Sequence, residues 1–368
     1  MGPFDPQSPA SAGLTGAGAG QRFTKQVRFA PLGPAGQQRL EERRVLVVGV
    51  GALGCALAQS MVRSGVGQVV LVDRDVVDVS NLPRQVLFSE VDAVLSVPKV
   101  EAAARELKRI GGPTRLDPRC EHLGAHNVAG LLEGVDLVLD GTDNLATRYL
   151  LNDACVRAGL PWVYGGVVGS GGMVLAVRPG NGPCLRCVFP EPPPLGSLET
   201  CDSAGVLQPA VAAVAALQAG AALRWLAGDD SVEASRSQSA PSETASLLEC
   251  DVWTSSLRRL ELPRDPDCPA CGRGEFEFLD AAVAEEAVAL CGRNAVQVPA
   301  PPSGGVDLAV LSERVERSGA VSISRTGMLL RFEVEDLRLT VFPDGRTLVE
   351  GCEDPVRARA VVDRWIGA

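Results

Sequence analysis

From Arg43 the chain runs through a β-branched apolar stretch, Val45 to Val48, into Gly49-Val-Gly51-Ala52-Leu-Gly54. A helical pattern carrying Ala56, Leu57, Met61 and Val62 follows directly. A strand, a tight glycine turn and a helix in that order leave few folds open, because the helix must pack back on the sheet of its own strand. Glycines let the backbone approach phosphate oxygens, and the helix start offers free N–H groups and the positive end of a dipole. A second strand, Val69 to Val72, ends at Asp73, an acid placed to accept ribose hydroxyls. On its own such a turn serves a dinucleotide or ATP equally well, and glycines also serve close helix–strand packing alone.

The same alternation continues. Leu137 to Leu139, Trp162 to Tyr164 and Met173 to Val177 read as strands, and Lys99 to Ile110 and Arg148 to Ala158 as helices. The pattern predicts an α/β fold, a Rossmann-like doubly wound and mostly parallel sheet. A long Ala-rich helix is expected from Pro209 to Leu226, and residues 229–246, rich in Ser, Glu and Ala, read as a disordered insertion. Residues 1–20 are low in complexity and read as a disordered tail. The main domain then spans 21–274. A composition change opens a small α+β domain over 275–368, with paired strands around a Pro-Asp-Gly turn between Val341 and Leu348 and a closing helix from Pro355 to Ile366.

A net charge of −10 argues against nucleic acid or an anionic membrane as partner. No apolar run is read as approaching the roughly 20 residues of a membrane span. The N-terminus has neither the basic nor the apolar region of a secretory signal. Eleven cysteines in an α/β pattern with two CxxC pairs read as reduced thiols plus a metal, so the expected compartment is the cytoplasm.

Those pairs are Cys184-Leu-Arg-Cys187 and Cys268-Pro-Ala-Cys271. Two-residue spacing lets both thiolates of a pair reach one ion. Four such ligands close a tetrahedral Zn²⁺ site that is structural and not catalytic, the alternative being a redox dithiol in one pair. Cys201 stays outside, in a Gly/Ser-containing loop. It is either a nucleophile or an ordinary loop cysteine. Cys55 and Cys155 read as core residues, and His122 and His126 as surface or capping histidines. Neither Cys291 nor Cys352 lies in an anion-binding loop of the kind a sulfurtransferase needs, so no such activity is assigned to the C-terminal segment.

One loop and two helix starts decide between nucleotides. Asp73-Arg-Asp75-Val-Val-Asp78-Val-Ser80-Asn81-Leu-Pro-Arg84 gathers acids, an Asn and an Arg, and Lys99 follows Pro98. Arg and Lys have no obvious work on a nicotinamide, whereas on a triphosphate they neutralise the charge of the leaving pyrophosphate. Asp140-Gly-Thr-Asp143-Asn144 adds acids suited to Mg²⁺.

With these residues in view, the sequence resembles the ThiF/MoeB/HesA family, adenylyltransferases related to ubiquitin-activating enzymes. The matching elements are Arg22-Phe-Thr-Lys25-Gln26, the GVGALG turn, Ser80-Asn-Leu-Pro-Arg-Gln85, Pro98-Lys99, Asp140 to Asn144, both CxxC pairs and Thr200-Cys201-Asp-Ser-Ala-Gly205-Val. The resemblance implies a homodimer that binds ATP with Mg²⁺. It also implies adenylation of the C-terminal Gly-Gly carboxylate of a ubiquitin-like sulfur-carrier protein, with a sulfurtransferase or cysteine desulfurase as a further partner. It places Gly49, Gly51, Ala52 and Gly54 at the phosphates and Asp73 at the ribose. Ser80, Asn81, Arg84 and Lys99 fall at the triphosphate, and Asp143 and Asn144 at Mg²⁺. It supports Cys201 as the nucleophile that attacks the acyl-adenylate, giving a thioester or, with a persulfide, an acyl disulfide. Lys25 stands where the family has an arginine that reaches the partner's ATP, with Arg22 and Arg28 as alternatives. The loop before Lys99 carries Ser96 where a glycine is common. Two rival readings are an NAD(P)-dependent oxidoreductase with a structural zinc, which leaves Arg84, Lys99 and Asp143 unemployed, and a carrier-binding scaffold that has lost catalysis.

Overall fold

The computed structural model describes residues 21–193, 201–228, 244–280, 288–290, 294–300 and 305–367. The expected disordered tail and residues 229–243 of the expected insertion lie outside them. The last part of that insertion is a correction. Thr244 to Ser246 open a strand, because Ala245 shares with Leu247 the face that packs on the core. The chain divides into two compact units at 281/282. This division lies beyond the composition change at 274/275, since Phe276 and Leu279 pack in the core of the first unit.

The first unit is built on an eight-stranded sheet. Its elements are α1 (Gly33–Glu42), β1 (Arg44–Val48), α2 (Ala52–Ser64), β2 (Gln68–Val72), α3 (Lys99–Ile110), β3 (Arg115–Arg119), β4 (Leu137–Asp140) and α4 (Leu145–Ala158). They continue with β5 (Trp162–Val168), β6 (Gly171–Val177), α5 (Gln208–Leu226), β7 (Thr244–Asp251) and β8 (Ser256–Pro263). The strand order is β3-β2-β1-β4-β5-β6-β7-β8. From β3 to β5 all neighbours are parallel, and β5 to β8 continue antiparallel, with α5 in the connection between β6 and β7. The chain winds outward from β1 to β3 and then returns to place β4 on the other side of β1. In open α/β sheets ligands bind where the strand order reverses in this way, at the carboxyl ends of the strands. The loops that leave β1 and β4 therefore face one crevice.

Strand β3 is absent from the sequence reading. Arg-Leu-Asp-Pro-Arg neither alternates nor runs apolar, and Pro118 is tolerated because β3 is an edge strand. The core lies between β1, β2, β4 and their helices, with Leu46, Val48, Val138 and Trp162 almost fully enclosed. Helix α5 is long and apolar enough, by length and composition, to cross a membrane, which corrects the reading that no run approaches that length. It packs against α2, β5 and β6, and Ala210, Val214 and Ala222 on it are buried.

The second unit is an antiparallel sheet of order β11-β12-β13-β14-β10-β9. Its strands are β9 (Val288–Leu290), β10 (Ala295–Val298), β11 (Val321–Arg325), β12 (Leu330–Val334), β13 (Leu337–Val341) and β14 (Thr347–Glu350). Helices α6 (Leu308–Arg317) and α7 (Pro355–Trp365) complete it. The expected Pro-Asp-Gly turn joins β13 to β14, with Val341 opposite Thr347. Asp307 and Asp354 cap the two helices, and Phe332, Leu339, Val349, Val315 and Ala358 share an independent core.

Candidate active site

The crevice at the strand reversal is lined by Gly49, Gly51, Ala52, Asp73, Arg84, Lys99, Asp143 and Asn144, which all came from the sequence reading. Gly49 has φ +81°, and a Cβ there would stand 2.9 Å from the backbone of Gly141, so the loops after β1 and β4 touch only because neither carries a side chain. Gly51 caps α2 and Ala52 begins it, which aims the helix N-terminus into the crevice. Gly54 is different. It is buried behind the loop, and a Cβ on it would fall 1.8 Å from the Gly49 carbonyl oxygen. Its part is close packing, so it supports the phosphate loop without lining the crevice.

Asp73 is tied into the loop it faces. One carboxylate oxygen accepts from Val50 N at 2.6 Å and the other from Asp75 N at 2.7 Å. Desolvation pushes the Asp73 carboxyl above the ordinary carboxylate range, while Lys99 and these amides pull it back. Lys99 is itself buried, with Nζ 3.1 Å from an Asp75 oxygen. Ser80 and Asn81 do not line the crevice. The Asp78 carboxylate accepts from Ser80 N, while Asn81 Oδ1 accepts from Asp78 N, a reciprocal cap that holds the short helical turn Val79–Asn81. That turn carries Arg84, whose Nη1 donates to Ser80 O at 2.8 Å. Ser96 adopts φ +44°, the left-handed conformation that the glycine common at this place would take without cost.

The two acids of the β4 loop separate. Asp140 is fully buried and accepts from Arg148 Nε at 3.1 Å, Thr142 Oγ1 at 2.7 Å and Thr142 N at 2.9 Å. It is spent on shaping the loop, which corrects its reading as a magnesium ligand. Burial raises the Asp140 carboxyl and Arg148 draws it down. Asp143 is exposed to the crevice, and Asn144 caps α4 through Thr147 N.

Sequence reasoning missed Arg148 and the rim formed by Glu121, His122 and Leu123. Arg148 stands four residues after Asn144, one helical turn into α4, and that spacing is the signal that could have found it. The rim follows β3, so it was lost with that strand. His122 Nδ1 lies 3.4 Å from Arg74 Nη1. Cys55 and Cys155 are enclosed in the core, and burial lifts the Cys55 thiol to about 12. Lys25 is exposed on the turn Thr24–Val27 and does not line the crevice of its own chain. Arg22 Nη2 is bound to the carbonyls of Ile110 and Gly111, which leaves Arg28 as the exposed arginine of this segment. Cys201 opens the helical turn Cys201–Ala204, shortly before Val206 at the crevice wall.

Away from the crevice, Cys184, Cys187, Cys268 and Cys271 converge, with all four sulfurs within 4.8 Å of one another. Cys184 Sγ lies 3.6 Å from Cys268 Sγ, and Cys187 Sγ lies 3.3 Å from Cys271 Sγ. Tetrahedral zinc with Zn–S bonds of about 2.3 Å separates its sulfurs by roughly 3.8 Å, so the four residues fit the ion.

Residues 23–270 match the ThiF family. The sulfur carrier protein ThiS adenylyltransferase of Bacillus subtilis is 37% identical over 349 residues, 94% of this chain and 99% of the relative. The sulfur carrier protein adenylyltransferase of Thermus thermophilus is 38% identical over 256 residues, 68% of this chain and 90% of the relative. The adenylyltransferase and sulfurtransferase MOCS3 of Sus scrofa is 41% identical over 252 residues, 68% of this chain and 53% of the relative. Among solved structures, E. coli MccB with ATP superposes with a TM-score of 0.55 at 22% identity, covering 68% of this chain and 74% of that one, a likeness of fold.

Proposed function

The chain belongs to the ThiF family, and on that premise we propose that it is an ATP-dependent adenylyltransferase acting on the C-terminal Gly-Gly carboxylate of a ubiquitin-like sulfur carrier. The observation that carries this reading is the convergence of the glycine loop, Asp73, Arg84, Lys99 and Asp143 on one crevice at the strand reversal. A carboxylate oxygen of the carrier bonds to the α-phosphorus of ATP, the bond to the β-phosphate oxygen breaks, and pyrophosphate leaves. The attacking group is already ionised at neutral pH, so no general base is needed. What the protein supplies is position and charge. Asp73 holds the ribose, the start of α2 faces the phosphates, and Arg84 and Lys99 stabilise the charge that builds on them. Magnesium, when bound with the nucleotide, adds positive charge at the phosphate oxygens. Asp143 is the exposed carboxylate that would hold it. Zinc at the four cysteines would close the end of the domain and take no part in the chemistry.

For the second step, Cys201 is the proposed nucleophile. Its thiolate attacks the acyl carbonyl, AMP leaves and a thioester forms. In the cytoplasm a sulfurtransferase or cysteine desulfurase then presents a persulfide: its outer sulfur bonds to the acyl carbon, the Cys201 thiolate leaves, and a thiol reductant splits the resulting acyl disulfide to release the carrier thiocarboxylate. The protein acts as a homodimer, supported by Val79, Val86, Val91, Val94 and Leu95, which stand exposed beside the crevice and suit burial against a second copy. The oxidoreductase reading gives Arg84 and Lys99 no role.

The test is ATP–pyrophosphate exchange with each Gly-Gly carrier. A ThiS-type carrier comes first, because the B. subtilis relative matches 94% of this chain and so extends into the second unit. Exchange dependent on one carrier supports the reading, and its absence with every carrier despite ATP binding favours the scaffold. Cys201→Ala keeps the exchange and loses the thioester. Loss of exchange in that variant would contradict the separation of the two steps.

A further inference from the structure

Helix α4 takes hold of both the acid loop and the cysteine cluster. In its first turn Arg148 donates through Nε to Asp140 and through Nη2 to Thr142 O at 2.6 Å, which fixes the loop that carries Asp143. One turn further, Asn152 Oδ1 accepts from Leu185 N at 2.9 Å. Beside it, an Asp153 oxygen lies 3.4 Å from Arg186 Nη1 and accepts from Phe278 N. Leu185 and Arg186 are the two residues between Cys184 and Cys187. Arg186, Asn152 and Asp153 are all enclosed.

Apolar side chains would bury this interface at lower desolvation cost than an ion pair. Directional polar contacts add what apolar packing lacks, a single axial register of the helix. The offset from residue 148 to residue 152 is one helical turn, about 6 Å along a stiff rod, so a shift at one end is carried to the other.

We propose that Asn152 and Asp153 are positioning residues for the nucleotide: the closed cysteine knuckle fixes the register of α4, and α4 through Arg148 fixes the acid loop. The proposal rests on the nucleotide reading of the crevice. Its test measures ATP binding by calorimetry on the full chain, with metal content measured alongside and cobalt substitution to report tetrahedral thiolate ligation. Asn152→Ala and Asp153→Asn, folded by circular dichroism and fully loaded with metal, are expected to raise the Kd for ATP at least about fivefold, the low end of coupling between sites. A smaller change in metal-loaded protein overturns the proposal and leaves the knuckle a staple alone. If Asn152→Ala does not fold, Asp153→Asn decides, because the amide can still accept from Phe278 N while the ion pair is lost. Failure of the unaltered protein to bind ATP would overturn the nucleotide reading itself, a result distinguishable from equal binding by all three proteins.

Discussion

Asp140 and Asp143 show how far a motif fixes the work of its residues. Both were readable as acids at the end of a strand, but only burial separates them, and burial depends on Arg148 arriving from the next helix. Asp143→Ala should abolish pyrophosphate exchange and leave the thermal midpoint unchanged. Asp140→Ala should cost about 3–5 kcal/mol in denaturant unfolding, since it strands a buried guanidinium. Asp73 gives a pH dependence. Its carboxyl is raised, so on acidification it loses its charge above the ordinary aspartate range near ~3.9, and ribose binding weakens from that point. The Asp73→Asn protein should bind ATP weakly and without this component, which binding titrations across pH compare directly. For folding the sign is opposite. The native state holds the proton more tightly than the unfolded chain, so stability from this group falls as pH rises through the window and is regained on acidification. Ser96 was legible as a departure from a glycine, and its φ of +44° supplies the physical reason. Ser96→Gly should stabilise by about 0.5–1 kcal/mol, read as a shift in denaturant midpoint.

The elements that were legible are those whose side chains repeat with the period of their backbone. β1, β2, β4 and α3 are enclosed or amphipathic along their whole length, so the apolar pattern marks their bounds within a residue or so. β3 and β8 are edge strands, the first half-buried and the second open to water, and nothing in their sequences has to alternate. Losing β3 also lost the crevice rim that follows it. The four-cysteine cluster was legible from spacing alone, because ligand chemistry is local. What spacing could not reveal is its attachment to α4 through Asn152 and Asp153, two polar residues that the fold encloses.

At the scale of the molecule, two units with separate cores make a single melting temperature a poor description of stability. Scanning calorimetry should show two transitions, and complete zinc chelation should lower only the one belonging to residues 21–281. Two unchanged transitions after chelation would refute the structural role of the metal. The composition change before residue 275 announced the second unit, while its exact limit depended on which side Leu279 packs. The four cysteines have a further consequence in time. Cys184 and Cys268 are 84 positions apart, so on a ribosome adding about 5–20 residues per second the first pair waits roughly 4–17 seconds for the second. During synthesis Cys184 and Cys187 are a half-built chelate on a growing chain, open to oxidants and to thiophilic metals that the finished knuckle excludes. If the cluster holds zinc, as proposed, the vulnerable moment of this protein comes at its birth, and the supply of the metal to nascent chains would govern how much of it matures.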